Sequence, residues 1–182
     1  MIRIEDEAEW SRIVDLPNYI SSKKESFNIH PNSEELSNIA KRLKLVKIGK
    51  MEVSISIEQL NAKNHYMVYG EINSNVTYEC VSSLEPFDEE INSNFSIEVR
   101  HEPAPADTSD DFDDEDMMDI EYSESGEIDL GEISVEYLSL SLMDHPKKPG
   151  TPSPEGTKPE SSTSSSKKNT YRPFEGLKKL KS

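Results

Sequence analysis

The chain has one cysteine among its 182 residues. That excludes an intramolecular disulfide and points to a reducing compartment. No stretch approaches the ~20 consecutive apolar residues of a membrane-spanning helix. The H-E-x-x-H, G-x-S-x-G, phosphate-loop and dinucleotide-binding glycine patterns are all missing. His30, His65, His101 and His145 lie far apart, without metal-ligand spacing, and read as surface residues. Cys80 is flanked by Glu79 and Glu85. Two carboxylates would raise its pKa, so it reads as an inert buried thiol with no base beside it. These absences argue against an enzyme, a metal site and a cofactor. Residues 1–9 are acidic and lack the apolar core of a signal peptide, so a cytoplasmic protein is expected.

Apolar residues are also scarce, at 33%, against ~45–50% in ordinary domains, a norm that counts glycine too. Two segments account for the deficit. One is the acidic run 107–121, which holds Asp107, Asp110, Asp111, Asp113, Asp114, Glu115, Asp116, Asp119 and Glu121 without a basic residue. It lacks the glycine and spacing of a calcium loop. A solvated, disordered loop is expected; the sharper alternative is an electrostatic mimic of nucleic acid, and non-specific capture of a basic peptide stays open. The other is the Pro/Ser/Lys region 145–182. Its nine basic residues face only Glu155, Glu160 and Glu175, so it carries +6, while the whole chain carries −16. The first 144 residues therefore sum to −22. Such a body repels phosphate and attracts cationic partners.

The folding signals lie between these segments. Trp10, Ile13, Val14, Leu16 and Tyr19 are apolar anchors in an otherwise irregular start, with a break at Leu16-Pro17. Phe27 and Ile29 suit a short strand ending at Pro31. Asn32 and Glu35 form a capping box, and Leu36, Ile39, Ala40 and Leu43 make one helical stripe. The basic end of this helix, Lys41, Arg42 and Lys44, reads as complementing the macrodipole rather than as a partner contact. Val53, Ile55 and Ile57 alternate with polar residues, as half-buried strands do. Turns are expected at 61–64 and 73–75, with strands through Tyr66–Gly70, Val76–Cys80 and Phe95–Val99. Short spacings favour antiparallel neighbours. Residues 117–124 can return as a strand. Ile133, Val135 and Tyr137 also fit a strand, but the Asp129 and Glu132 cap and the length to Met143 favour a helix before Pro146.

The expected fold class is α+β: a small antiparallel sheet or partial barrel with two packed helices, an acidic loop and a basic C-terminal tail. Residues 1–144 form the domain, 145–170 a flexible linker, and 171–182 either a short docking helix or a frayed terminus.

Cys80-Val-Ser-Ser-Leu84-Glu85-Pro86-Phe87 resembles the signature of the YceD family, the large ribosomal RNA subunit accumulation proteins, and is closest to its alphaproteobacterial branch. Further pieces follow in family order: Ser33–Glu35 leading to Ile39–Leu43, Gly70, Ile128–Glu132, Leu140–Leu142 with His145–Gly150, and Pro173–Leu180. The resemblance covers nearly the whole chain. It implies a non-catalytic role in synthesis, processing or stability of large-subunit rRNA. Cys80, Leu84, Glu85, Pro86 and Phe87 would be structural. Pro173, Phe174, Leu177 and Leu180 would dock. Lys147, Lys148, Lys178, Lys179 and Lys181 would meet rRNA. The partner would be the pre-ribosomal large subunit or a basic ribosomal protein. The alternative is an acidic chaperone or adaptor for a basic client, without RNA contact. Other branches carry C-x-x-C here. Ser83 takes the second position, and one thiolate cannot hold zinc alone.

Overall fold

The computed structural model describes residues 9–19, 24–60, 64–104 and 119–151. The elements are β1 (Ile13–Asp15), α1 (Leu16–Tyr19), β2 (Lys24–Ile29), α2 (Ser33–Arg42), β3 (Lys47–Gln59), β4 (His65–Glu79), β5 (Pro86–Arg100), β6 (Asp119–Tyr122), β7 (Glu127–Asp129) and α3 (Leu130–Ser141). A five-stranded sheet runs in the order β2-β3-β4-β5-β6, and β1 pairs with β7 in a separate two-stranded ribbon. This is an α+β fold built on a mostly antiparallel sheet. Among the described residues the sheet stays open, with β2 and β6 at its edges, so no barrel closes.

Alternation on the long strands creates two unlike faces. Met51, Val53, Ile55 and Ile57 of β3 point inward with Tyr66, Val68, Ile72 and Val76 of β4 and with Phe95, Ile97 and Val99 of β5. Intervening positions such as Glu52, Ser54, Glu71 and Asn94 face out and are exposed. Both helices cover the inner face. Ile39 and Ala40 of α2 are buried there, as are Leu130, Ile133, Val135 and Leu138 of α3. The N-terminal anchors belong to the same core: Trp10, Val14 and Leu16 are almost fully buried.

Caps and ion pairs join the pieces. Asn32 accepts from the Glu34 and Glu35 N–H groups, and its own N–H donates to Glu35 Oε2 at 2.6 Å. The capping box is therefore complete. The same Glu35 carboxylate receives both guanidinium nitrogens of Arg12, at 3.0 and 3.1 Å. Asp129 Oδ1 accepts three backbone N–H groups, from Arg12 at 2.7 Å, Gly131 at 2.9 Å and Glu132 at 3.3 Å. Glu132 does not close a second capping box. Its carboxylate instead takes a bidentate pair from Arg42 at 2.6 and 2.8 Å, tying α2 to α3. One cation at the basic end of α2 is thus used inside the fold.

Several expectations are corrected. Asn73–Asn75 does not turn, because β4 runs unbroken from His65 to Glu79 with partners on both sides. Cross-strand pairing on two flanks overrides the local turn preference of Asn and Ser. The irregularity sits opposite, where β3 shifts register between Ile48 and Lys50 and the Lys50 carbonyl accepts from Ser74 Oγ at 3.0 Å. The pairing is not wholly antiparallel: β6 lies parallel to β5. The connection between them is long enough for a parallel return. Residues 119–121, placed in the acidic loop, are strand, and residues 107–118 lie outside the described residues. The N-terminal stretch holds β1 and a third helix, α1, with Pro17 in its first turn, where a missing N–H costs nothing. Finally, α3 ends at Ser141 rather than Met143.

Gly70 on the inner face shows how tightly β4 and β5 meet. A Cβ there would land on the Phe95 ring. That ring cannot retreat, because its other side stacks on Tyr137 of α3 at 4.4 Å and 8°. Gly70→Val is expected to destabilise the protein by about 2 kcal/mol, read as a lower urea midpoint. Equal midpoints would show that the Phe95–Tyr137 stack yields freely.

Candidate functional site

The signature turn lies where β4 ends. Cys80 N–H donates to the Glu85 carbonyl at 3.0 Å, and Leu84 N–H to the Cys80 carbonyl at 2.9 Å. These bonds close a tight loop whose tip carries Val81, Ser82 and Ser83. Leu84 has φ 58°, a left-handed conformation that a leucine adopts only under strain. Its side chain is 69% exposed, and that of Val81 is 49% exposed. Pro86 opens β5 as its first residue. Phe87 is buried opposite Tyr78, with ring centroids 5.5 Å apart. The Tyr78 hydroxyl accepts the Met143 N–H at 3.1 Å, which draws the chain after α3 toward the turn.

That following chain is held at its start. The Pro146 carbonyl accepts the Val81 N–H at 2.9 Å. Lys148 Nζ bonds Glu85 Oε2 at 2.7 Å, and Lys148 N–H donates to Cys80 Sγ at 3.4 Å. Thr151 Oγ1 lies 3.9 Å from the same sulfur. Residues 146–151 thus form a strap over the turn, at the start of the segment read as a flexible linker. The reason is local: the turn's outward N–H groups and the Glu85 carboxylate need partners, and the strap supplies them.

Cys80 is fully buried beneath the strap. Its thiol is brought down to about 6 by the Ser83 hydroxyl first, then by the N–H groups of Lys148, Ser83 and Ser82, with burial opposing them. This corrects the expectation that Glu79 and Glu85 would raise it. Glu85 is itself held below the usual carboxylate range by Lys148, so its charge is compensated. Hydrogen-bond donors to sulfur favour thiolate. Ser83, which occupies the second position of the C-x-x-C pattern, supplies the largest of these effects.

The other expected residues are scattered. Lys147 is exposed, whereas Lys148 is committed to Glu85. Pro173, Phe174, Leu177, Leu180, Lys178, Lys179 and Lys181 lie outside the described residues. His30 and His145 are exposed, but His65 and His101 are half-buried. His65 Nδ1 lies 2.9 Å from Glu98 Oε1, and His101 Nδ1 is buried without a partner among the described residues. Among the described residues no three His, Cys, Asp or Glu side chains gather as metal ligands, and no helix is long and apolar enough to cross a membrane. The strap was missed in the sequence because its composition signals a linker. Ser83 was read only as a lost cysteine.

A family model described as large ribosomal RNA subunit accumulation protein YceD matches residues 68–181. That span holds most of β4, the signature turn, the strap and nearly all of the basic tail, well over half of the chain. The chain belongs to the YceD family. No curated protein and no solved structure matches it. Membership ties the chain to accumulation of large-subunit ribosomal RNA.

A depressed thiol pKa has a defined linkage. The thiolate's contribution is fully present above the unfolded thiol's pKa of about 8.5 and is lost as pH falls through about 6. The stability difference between the native chain and Cys80→Ala should therefore shrink across that window as pH falls. Urea titrations at several pH values measure it, and a pH-independent difference would mean that Cys80 stays a neutral thiol. Leu84→Gly should leave stability unchanged or raise it by up to about 1 kcal/mol, because glycine removes the strain and little burial is lost. A clear drop in the urea midpoint would show that the leucine side chain supports the turn.

Proposed function

We propose that this chain is a non-catalytic, cytoplasmic ribosome-biogenesis factor that supports synthesis, processing or stability of large-subunit rRNA. The family match over residues 68–181 carries the proposal. The acidic body engages a basic protein component of the pre-ribosomal particle, as its −22 charge favours. The tail beyond Thr151 carries seven Lys and Arg residues, whose sign suits rRNA. In this reading the strap is structural, since its bonds close over the signature turn.

A second reading has its own support. Lys148, one of the lysines expected at rRNA, is neutralised by Glu85. That reduces the cationic charge near the body and favours an adaptor for a basic client, without RNA contact.

Gradient sedimentation after depletion and re-expression tests the first reading. The full chain should travel with large-subunit precursors, and depletion should lower large-subunit rRNA. Retention at the top of the gradient with unchanged rRNA would overturn it. Truncation after Thr151 separates the readings, because it spares the strap. Loss of particle association supports tail contact with rRNA. Association that survives both truncation and nuclease, but falls with salt, supports the adaptor.

A further inference from the structure

The outer face of the five-stranded sheet has no covering element among the described residues. Across β2, β3, β4 and β5 it holds a shallow groove of about 390 Å³. Outward side chains of Ser26, Asn28, Ser54, Tyr69, Glu71 and Asn94 line it. Tyr69 is 46% exposed, an aromatic ring in a groove whose other outward side chains are serines, asparagines and Glu71. Glu71 follows two positions along the same strand, so ring and carboxylate stand on one face about 7 Å apart.

The neighbours leave both groups accessible. Tyr69 pairs across the sheet with Ser56 and Ser96, and Glu71 with Ser54 and Asn94. None is long enough to cover the ring. Ser54 Oγ donates to Asn28 Oδ1 at 2.9 Å, which fixes that amide at the groove's edge. Ser56 Oγ is buried on this face and has no hydrogen-bond partner among the described residues. Glu71 forms no ion pair among the described residues. A carboxylate, an aromatic face and an unsatisfied hydroxyl therefore converge without serving the fold.

We propose that this groove receives an arginine side chain from an extended basic protein segment. The guanidinium stacks on Tyr69 and donates two parallel hydrogen bonds to Glu71. Arginine fits better than lysine because its planar fork matches a carboxylate and its flat face stacks on a ring. Charge selects protein over RNA. Glu71 is the charged side chain that lines the groove, and Glu58 and Glu90 are exposed on the same face, where Glu52 is paired with Lys50 at 2.8 Å; a site of that sign repels phosphate. The inference rests on the reading of the acidic body as the part that engages a basic protein, and it names where and through which side chain.

The test uses the full-length protein with a labelled Gly-Arg repeat peptide and its Gly-Lys counterpart of equal length and charge. Fluorescence anisotropy should show the arginine peptide bound about fivefold more tightly. Tyr69→Ala and Glu71→Gln should each bring it to the level of the lysine peptide, while Tyr69→Phe keeps the preference. Both positions are exposed, and unchanged melting curves would confirm folding of the three variants. Equal binding of the two peptides, or an arginine preference that survives Tyr69→Ala, would overturn the site and leave only diffuse attraction to acidic residues. So would displacement of the arginine peptide by an uncharged-end oligoribonucleotide that itself loses affinity in Tyr69→Ala. Sedimentation with precursors is a separate readout. A Tyr69-dependent arginine preference without particle association keeps the site and removes the biogenesis role, and the reverse result keeps the role and removes the site.

Discussion

Burial of one face of a long antiparallel sheet is the constraint on which the rest depends. Three strands of 13, 15 and 15 residues place their apolar side chains on the same side. Each buried Ile, Val or Phe is worth about 1.5–3 kcal/mol only if something covers it. The helices α2 and α3 and the N-terminal segment provide that cover. Their positions follow from a few polar ties: Arg12 to Glu35, Arg42 to Glu132, and the single oxygen of Asp129 that accepts three N–H groups. Gly131 belongs to the same arrangement, since a Cβ there would strike the Trp10 carbonyl. One face is thereby closed by the chain itself, and the opposite face is left mostly to polar and charged side chains.

The same asymmetry separates residues spent on the fold from residues left exposed. The signature turn is held by its own closing bonds, by the Tyr78–Phe87 stack and by the strap from 146 to 151. Cys80 is enclosed there with donors around its sulfur, which makes it part of the clasp. The exposed features among the described residues are of another kind: an apolar turn tip and an open face with Tyr69 and Glu71. An acidic body carrying a cationic tail can engage protein and nucleic acid through different parts of one chain.

Much of the fold was legible in the residues. The Asn32–Glu35 box, the α2 stripe, the alternation of Val53, Ile55 and Ile57 and the Asp129 cap are local patterns, and local geometry carried them out. Asn73–Asn75 was misleading because strand partners on both sides outweighed turn propensity. The strap was hidden because Pro, Lys and Gly say nothing about a distant turn that needs hydrogen-bond partners. The thiol was misjudged for a similar reason. Sequence neighbours Glu79 and Glu85 were visible, whereas the Lys148 N–H and the Lys148 ammonium come from more than sixty residues away.

The sequence by itself determined the charge division, the alternation of the strands, the helix caps and the family signature. These depend on residue type and short spacing, which the chain states directly. Tertiary structure decided which face would be covered, that β6 would return parallel, that the linker would begin as a strap, and that Cys80 would sit among donors. It also brought Tyr69 and Glu71 to one open face with small neighbours. Each of these rests on pairings between distant segments, and the register of such pairings is set by the burial of the whole sheet rather than by any one stretch of it.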